Sequence, residues 1–271
     1  QAYAEIPQPG HFSVSLLYGI TGSGKTELYL NYLAQLPSDN QALVLVPEIN
    51  LTPQTLSRFQ RHFGVRVKTW HSNLNDTERA DIWQSLRSSA PLMIVGTRSA
   101  ALLPFTQLGA IIIDEEHDSS YKQQDGFRYS ARDFAIYRAQ QLNCPVVLGS
   151  ATPSLESWHN ALQGRYRMIQ LLERANRANP PRLELIDVRS RPLQDGLSHP
   201  MLQAIDRHLA ESGQVLVFVN RRGYAPVIMC FSCGHIMECP RCDSRLTWHR
   251  AHHRLLCHHC NYQVPLPKLC P

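Results

Sequence analysis

The feature that most constrains the fold is the run Gly19-Ile20-Thr21-Gly22-Ser23-Gly24-Lys25-Thr26, which fits the phosphate-loop pattern G-x-x-x-x-G-K-[ST]. It lies between an apolar run that reads as a strand, Ser13 to Tyr18, and a segment of helical spacing, the setting such a loop needs. Glycines let backbone N–H groups close around phosphates, and the start of the following helix favours negative charge. In this reading Gly19, Thr21, Gly22, Ser23 and Gly24 cradle ATP, Lys25 reaches its β- and γ-phosphates, and the Thr26 hydroxyl ligates Mg²⁺.

Around this loop the first 150 residues alternate short apolar runs with longer amphipathic ones, as expected of βα units on a parallel sheet. Ala42 to Val46, Leu92 to Val95, Ala110 to Ile113 and Val146 to Gly149 are the further strands expected. In an open α/β sheet, ligands gather beyond the carboxyl ends of the strands, where the polar loops after these runs lie. At 43% hydrophobic content the 271-residue chain can bury a core, and it holds no apolar run of eighteen or more, so a soluble protein with no membrane partner is expected. The ends, Gln1 and Pro271, read as cut from a longer polypeptide. A formal charge of +5 suits a polyanionic partner only weakly.

Ile111-Ile112-Ile113 runs directly into Asp114-Glu115-Glu116-His117, about ninety residues after the phosphate loop. An acidic turn at a strand end is the counterpart that loop needs: Asp114 to hold Mg²⁺, and Glu115 to orient or deprotonate the attacking water. Lys25, Asp114 and Glu115 are thus the expected catalytic set. The four acidic-turn residues resemble the DExH box of superfamily 2 helicases and translocases. Ser150-Ala151-Thr152 resembles the S-A-T motif of that superfamily, which implies a coupling role for His117, Ser150 and Thr152 between nucleotide and nucleic acid. Val46-Pro47-Glu48 with Gln54 resembles motif Ia, and Gly96-Thr97-Arg98-Ser99 resembles motif Ib, implying DNA-backbone contacts that include Arg98. Between Tyr121 and Arg132 three aromatics, Tyr121, Phe127 and Tyr129, interleave with Lys122, Arg128 and Arg132, the composition of a loop that stacks bases of a single strand and holds its phosphates. Burial of the aromatics against the core is the alternative.

Seven of the eight cysteines lie from Cys230 onward, as three Cys-x-x-Cys pairs and a lone Cys270. Two cysteines so spaced can aim both thiolates at one ion, and two pairs complete a tetrahedral zinc site. Cys239, Cys242, Cys257 and Cys260, with fourteen residues between the pairs, make one full set. Cys230, Cys233 and Cys270 make three quarters of a second, and any of His235, His249, His252, His253, His258 and His259 could replace a missing thiolate.

Nearly the whole chain is similar to the bacterial primosomal replication-restart helicases, most specifically in GITGSGKTE, DEEHDSSYKQQDGFRYSARD, GSATPS, FVNRRGYAP and the stretch from Cys230 to Pro271. That resemblance implies an α/β fold: a RecA-like ATP-binding lobe over residues 1–160, a linker and the beginning of a second RecA-like lobe over 161–229, and a small cysteine-rich zinc insertion over 230–271. Within it, Glu156 to Leu197 reads as linker, broken by Asn179-Pro180-Pro181, His199 to Ser212 as helix, and Gln214 to Val219 as a buried strand leading to Asn220-Arg221-Arg222-Gly223-Tyr224. The resemblance further implies two zinc ions in the parent protein with one complete site here, ATP-driven 3′→5′ unwinding of single-stranded and branched DNA in the bacterial cytoplasm, and contact with single-stranded-DNA-binding protein and other primosome proteins. The expected chain lacks motifs V and VI and hydrolyses ATP poorly by itself. A DNA-binding assembly module with a nucleotide switch, and a small-molecule kinase or ligase, are the competing readings; stimulation of ATPase by single-stranded DNA separates a motor from both.

Overall fold

The computed structural model describes residues 10–47, 52–124, 126–174, 182–189, 192–194, 196–218, 227–242, 244–249, 254–258, 260–267 and 270. Glu48 of the expected motif Ia, the Asn179-Pro180-Pro181 break, the Asn220 to Tyr224 run, His252, His253 and His259 lie outside these residues. The chain divides into two compact units, residues up to Pro180 and residues from Pro181.

The first unit is built on seven strands: β1 (Val14–Gly19), β2 (Gln41–Leu45), β3 (Val67–Trp70), β4 (Met93–Gly96), β5 (Leu108–Asp114), β6 (Val146–Ser150) and β7 (Arg167–Leu171). They pair in the order β3-β4-β2-β5-β6-β1-β7, every pair parallel. Alternation along each central strand sends side chains to opposite faces. Leu43, Leu45, Ile111 and Ile113 enter one cluster with Ile82 and Leu86 of α3 (Asp76–Arg87) and the alanines of α4 (Ala131–Gln141). Ala42, Val44, Ala110 and Ile112 enter the other, with Leu30 of α1 (Lys25–Leu33) and Phe59 of α2 (Pro53–Phe63). Both faces are therefore dry, and each fully buried Leu or Ile contributes about 1.5–3 kcal/mol of transfer free energy.

The expected central strands are present, each within two residues of the bounds read from sequence. Both edge strands, β3 and β7, were not expected, and the linker expected from Glu156 does not begin there. Leu155–Leu162 is a helix, α5, and β7 pairs with β1 from Ser15↔Arg167 to Gly19↔Leu171. Of the residues that suggested a linker, Asn160 lies in α5 and Arg167 on the exposed side of an edge strand whose Ile169 is buried.

The second unit holds a two-stranded hairpin, β8 (Leu193–Gln194) with β9 (Leu197–Ser198), the expected helix α6 (His199–Ala210), and an antiparallel sheet of β10 (Thr247–His249), β11 (Arg254–Leu256) and β12 (Gln263–Pro265). Gln214 to Phe218, expected as most of a buried strand, is irregular, with Leu216 and Phe218 91% and 80% exposed. A strand forms only against a partner edge, and none of the described residues pairs with this run. No helix among the described residues is long and apolar enough to cross a membrane.

Candidate nucleotide site and cysteine cluster

Strands β5, β6 and β1 are neighbours, and their carboxyl ends deliver Asp114, Ser150 and Gly19 to one edge of the sheet. The loop after β1 turns through Gly22 and Gly24, at φ +80° and +91°, a region in which a side chain is strained, and Gly24 caps α1. Lys25 opens that helix, its Nζ donating to the Gly19 carbonyl at 2.9 Å and lying 3.9 Å from Glu115 Oε1. Ser23 Oγ is buried with no hydrogen-bond partner among the described residues, a donor held ready beside a loop of phosphate-binding geometry. Thr26 and Asp114 line one cavity of about 250 Å³, so a hydroxyl and a carboxylate, donors suited to Mg²⁺, share a single space. These residues fit a nucleotide with its cation.

Asp114 is held from two sides. Tyr29 Oη donates to its Oδ1 at 2.9 Å, and Tyr121 Oη donates to its backbone carbonyl at 2.7 Å. Burial raises the Asp114 carboxyl above its ordinary value, and the Tyr29 hydrogen bond and Lys25 pull it back. Burial, then the neighbouring Asp114, raises Glu115 likewise, against Lys25 and His117. Glu115 also sits at φ +46°, a left-handed conformation costly for a non-glycine residue and found where a side chain must be aimed. His117 joins the acidic turn to the Ser-Ala-Thr segment: Nδ1 lies 2.8 Å from Ser150 Oγ and Nε2 3.3 Å from Thr152 Oγ1.

Glu116, given no role by sequence, is fully buried and accepts from Arg132 Nη1 (3.0 Å), Ser154 N (2.7 Å), Ser154 Oγ (3.0 Å) and Ser157 Oγ (2.8 Å). Arg132, expected among the phosphate-holding cations, is thereby committed to the interior. Tyr121, expected to stack bases, is 1% exposed and belongs to the core: the turn after β5 folds it beneath the strand end. Arg98 is likewise occupied, donating to the carbonyls of Ser120 and Lys122 at 3.1 Å each, so that it braces the aromatic loop. Lys122, Phe127 and Arg128 are exposed, and the Phe127 and Tyr129 rings stack with centroids 5.8 Å apart. Tyr29 and Glu116 left no sequence signal beyond the position of Tyr29 three residues after Thr26, which puts both on one helix face.

In the second unit three turns repeat one backbone pattern. Cys230, Cys239 and Cys257 each donate their N–H to the carbonyl five residues on, of His235, Ser244 and Tyr262, at 2.8 Å. Gly234 and Asn261 occupy the left-handed position of their turns. The turns bring Cys239, Cys242, Cys257 and Cys260 together, with all four sulfurs within 4.8 Å of one another and the Cys239–Cys260 and Cys242–Cys257 separations at 3.4 and 3.5 Å. A disulfide needs about 2 Å, whereas sulfurs about 2.3 Å from a tetrahedral zinc stand about 3.8 Å apart. The donor set fits zinc. Cys230, Cys233 and Cys270 form a second group with Cys233 and Cys270 3.6 Å apart. Among the expected substitute ligands, His249 and His258 pair with each other across 3.0 Å.

Residues 6–161 match the DEAD/DEAH box helicase family, and residues 239–265 match the PriA DNA helicase Cys-rich region domain. The chain is 50% identical over 270 residues to a replication restart protein PriA of Haemophilus influenzae, covering 99% of this chain and 37% of that protein. The protein of the same name from Bacillus subtilis is 44% identical over 263 residues (95% and 32%), and that of Synechocystis 42% over 281 residues (98% and 34%). The chain thus spans about a third of the length of these relatives. With a helicase domain whose three nucleotide-site motifs meet at one sheet edge and a zinc-type ribbon of PriA kind, the chain belongs to the DEAD/DEAH box helicase family and is similar to its PriA members.

Proposed function

We propose that the chain is the ATP-binding lobe and zinc region of a DNA-stimulated ATPase that drives 3′→5′ unwinding of branched DNA during replication restart. The observation that carries this reading is the convergence of Lys25, Asp114, Glu115 and the His117–Ser150–Thr152 bridge at the carboxyl ends of β1, β5 and β6. Phosphoryl transfer asks a protein mainly for positioning and charge. Gly19, Thr21, Gly22, Ser23, Gly24 and Lys25 hold the phosphates; Thr26 and Asp114 hold Mg²⁺, which when bound offsets charge on the transferred group. Glu115 orients the attacking water, with Lys25 Nζ 3.9 Å from its Oε1.

The same reading includes a coupling path. Phe127 offers an exposed ring backed by the half-buried Tyr129 and flanked by Lys122 and Arg128, and Tyr121 roots the same segment on the Asp114 carbonyl. A strand lying on this ring would act on Asp114 through Tyr121, and the His117 bridge would tie the acidic turn to Ser150 and Thr152. Cys239, Cys242, Cys257 and Cys260 hold one zinc, and Cys230, Cys233 and Cys270 belong to a second site. Single-stranded-DNA-binding protein and other primosome proteins are the partners this reading implies, and the bacterial cytoplasm its place. In this reading the ATP-binding lobe runs past residue 160 through β7, the beginning of a second lobe lies between there and 229, and the zinc region covers 230–271. ATP hydrolysis by the full-length protein with and without single-stranded DNA, with Lys25→Ala as blank, tests it: stimulation lost in the variant is expected, and turnover indifferent to DNA overturns the motor reading.

A further inference from the structure

Tyr29 is a large polar side chain in the dry layer between α1 and the sheet, 1% exposed. Burying a tyrosine there is favourable only when its hydroxyl has a partner, and its partner is Asp114 Oδ1 at 2.9 Å. The neighbouring strand is shaped around it. Asp114 stands beside Gly149 in the β5–β6 register, and a Cβ on Gly149 would overlap the Tyr29 hydroxyl. The residue that leads into Ser150-Ala151-Thr152 is thus a glycine because a hydroxyl occupies the place of its side chain. Tyr29 also lines the cavity that Thr26 and Asp114 share, one helical turn from Thr26.

We propose that Tyr29 is a positioning residue for the divalent cation: its hydroxyl fixes the Asp114 carboxylate in the orientation that turns an oxygen toward the Thr26 side of the cavity. This rests on the nucleotide-site reading above and assigns a part to a residue outside the phosphate loop and the acidic turn. Without the hydroxyl, the Asp114 side chain keeps its backbone anchor, the Tyr121 bond to its carbonyl, and loses the one side-chain hydrogen-bond donor that its carboxylate has among the described residues. Loss of the partner that orients a ligating group costs about ten- to a hundredfold in metal affinity.

The test is equilibrium binding of a fluorescent ADP to the 271-residue chain, first without metal and then across a Mg²⁺ titration, for the native chain, Tyr29→Phe and Gly149→Ala. Tyr29→Phe keeps the ring and its packing. It is expected to bind metal-free ADP as the native chain does and to need about tenfold more Mg²⁺ for half of the metal-dependent gain. Gly149→Ala, which displaces the same hydroxyl from the opposite strand, is expected to shift the metal requirement in the same direction, and the double variant by little more than either single one. An unchanged Mg²⁺ midpoint in Tyr29→Phe overturns the proposal, as does loss of metal-free ADP binding in step with the metal-dependent part, which marks a purely structural tyrosine. Failure of the native chain to bind ADP at any Mg²⁺ concentration refutes the nucleotide site itself and is distinguishable from either.

Discussion

Replacing Glu116 by glutamine is the most discriminating stability test in the molecule. The carboxylate is fully buried and receives four hydrogen bonds: three converge on Oε2, from Arg132 Nη1, Ser154 Oγ and Ser157 Oγ, and one reaches Oε1 from Ser154 N. Every partner is a donor. An amide offers one acceptor oxygen, so with that oxygen at the Oε2 position its NH₂ faces the Ser154 N–H, and with the amide turned the NH₂ faces the Arg132 guanidinium, with only the two serine hydroxyls able to turn and accept. Either way Arg132 loses its buried counter-charge and keeps the outward Asp133 pairing and its bond to Ser154 Oγ. Breaking a buried, hydrogen-bonded ion pair costs about 3–5 kcal/mol, and for a unit of this size each kcal/mol lowers Tm by about 2–4 °C. Thermal unfolding followed by circular dichroism should show Glu116→Gln melting roughly 10 °C below the native chain, while Glu116→Gln with Arg132→Met recovers part of the loss. A variant that melts within a degree or two of the native chain, or a double variant whose loss is the sum of the singles, would show that the network is not what joins the acidic turn to α5.

The adjacent carboxylate is expected to behave oppositely: Glu115→Gln should retain nucleotide binding and fold and abolish hydrolysis, and retained turnover in an ATPase assay of the full-length protein counts against its water-orienting role. Phe127→Ala removes a 79% exposed ring and should weaken single-strand DNA binding about five- to a hundredfold, from about 1–3 kcal/mol per stacked base, with Tm unchanged; Tyr121→Phe should do the reverse, lowering Tm, and fluorescence anisotropy beside a melting curve separates them. Cys239→Ser should release zinc from the four-thiolate set, read as a loss of bound metal by elemental analysis, and full retention would place the ion elsewhere. Burial pushes the Cys144 thiol up to about 11, so its thiolate is scarce at pH 8, and alkylation mapped by mass spectrometry should label it only on unfolding.

What was legible in the sequence follows from burial. The central strands are covered on both faces and read as unbroken apolar runs, LVL, MIV, III and VVL, so their ends, and the motifs on them, could be placed. The edge strands are half wet: Val67–Trp70 and Arg167–Leu171 mix Lys, Arg and Gln with their apolar residues and merge into loop composition. The three-residue strands of the cysteine region are too short to show a period, and their small core includes Cys239 and Cys257 themselves, so metal chemistry rather than hydrophobic pattern was the readable signal. Tyr121, Phe127 and Tyr129 look alike in sequence; only the turn after β5 decides that the first is buried, the second exposed and the third half-buried against the core. Arg132 and Glu116, sixteen residues apart, carry no mark of their pairing until α4 is laid against the sheet.

The sheet order explains why so few residues suffice to build the site. Strands in a sheet lie about 4.8 Å apart, so the ends of β1 and β5, with β6 between them, fall within about 10 Å, although Lys25, Asp114 and Ser150 are separated by scores of residues in the chain. The middle strand then has to satisfy both neighbours at once. On β6, Gly149 gives up its side-chain volume to the tyrosine of α1 that holds Asp114, and its carbonyl accepts the Glu116 N–H at 3.1 Å; Ser150, next in line, meets His117. Gly-Ser-Ala-Thr is therefore legible as packing before it is legible as a motif. A substitution at Gly149 should disturb the cation side of the site, and one at Ser150 the DNA-coupling side, although the two residues are adjacent.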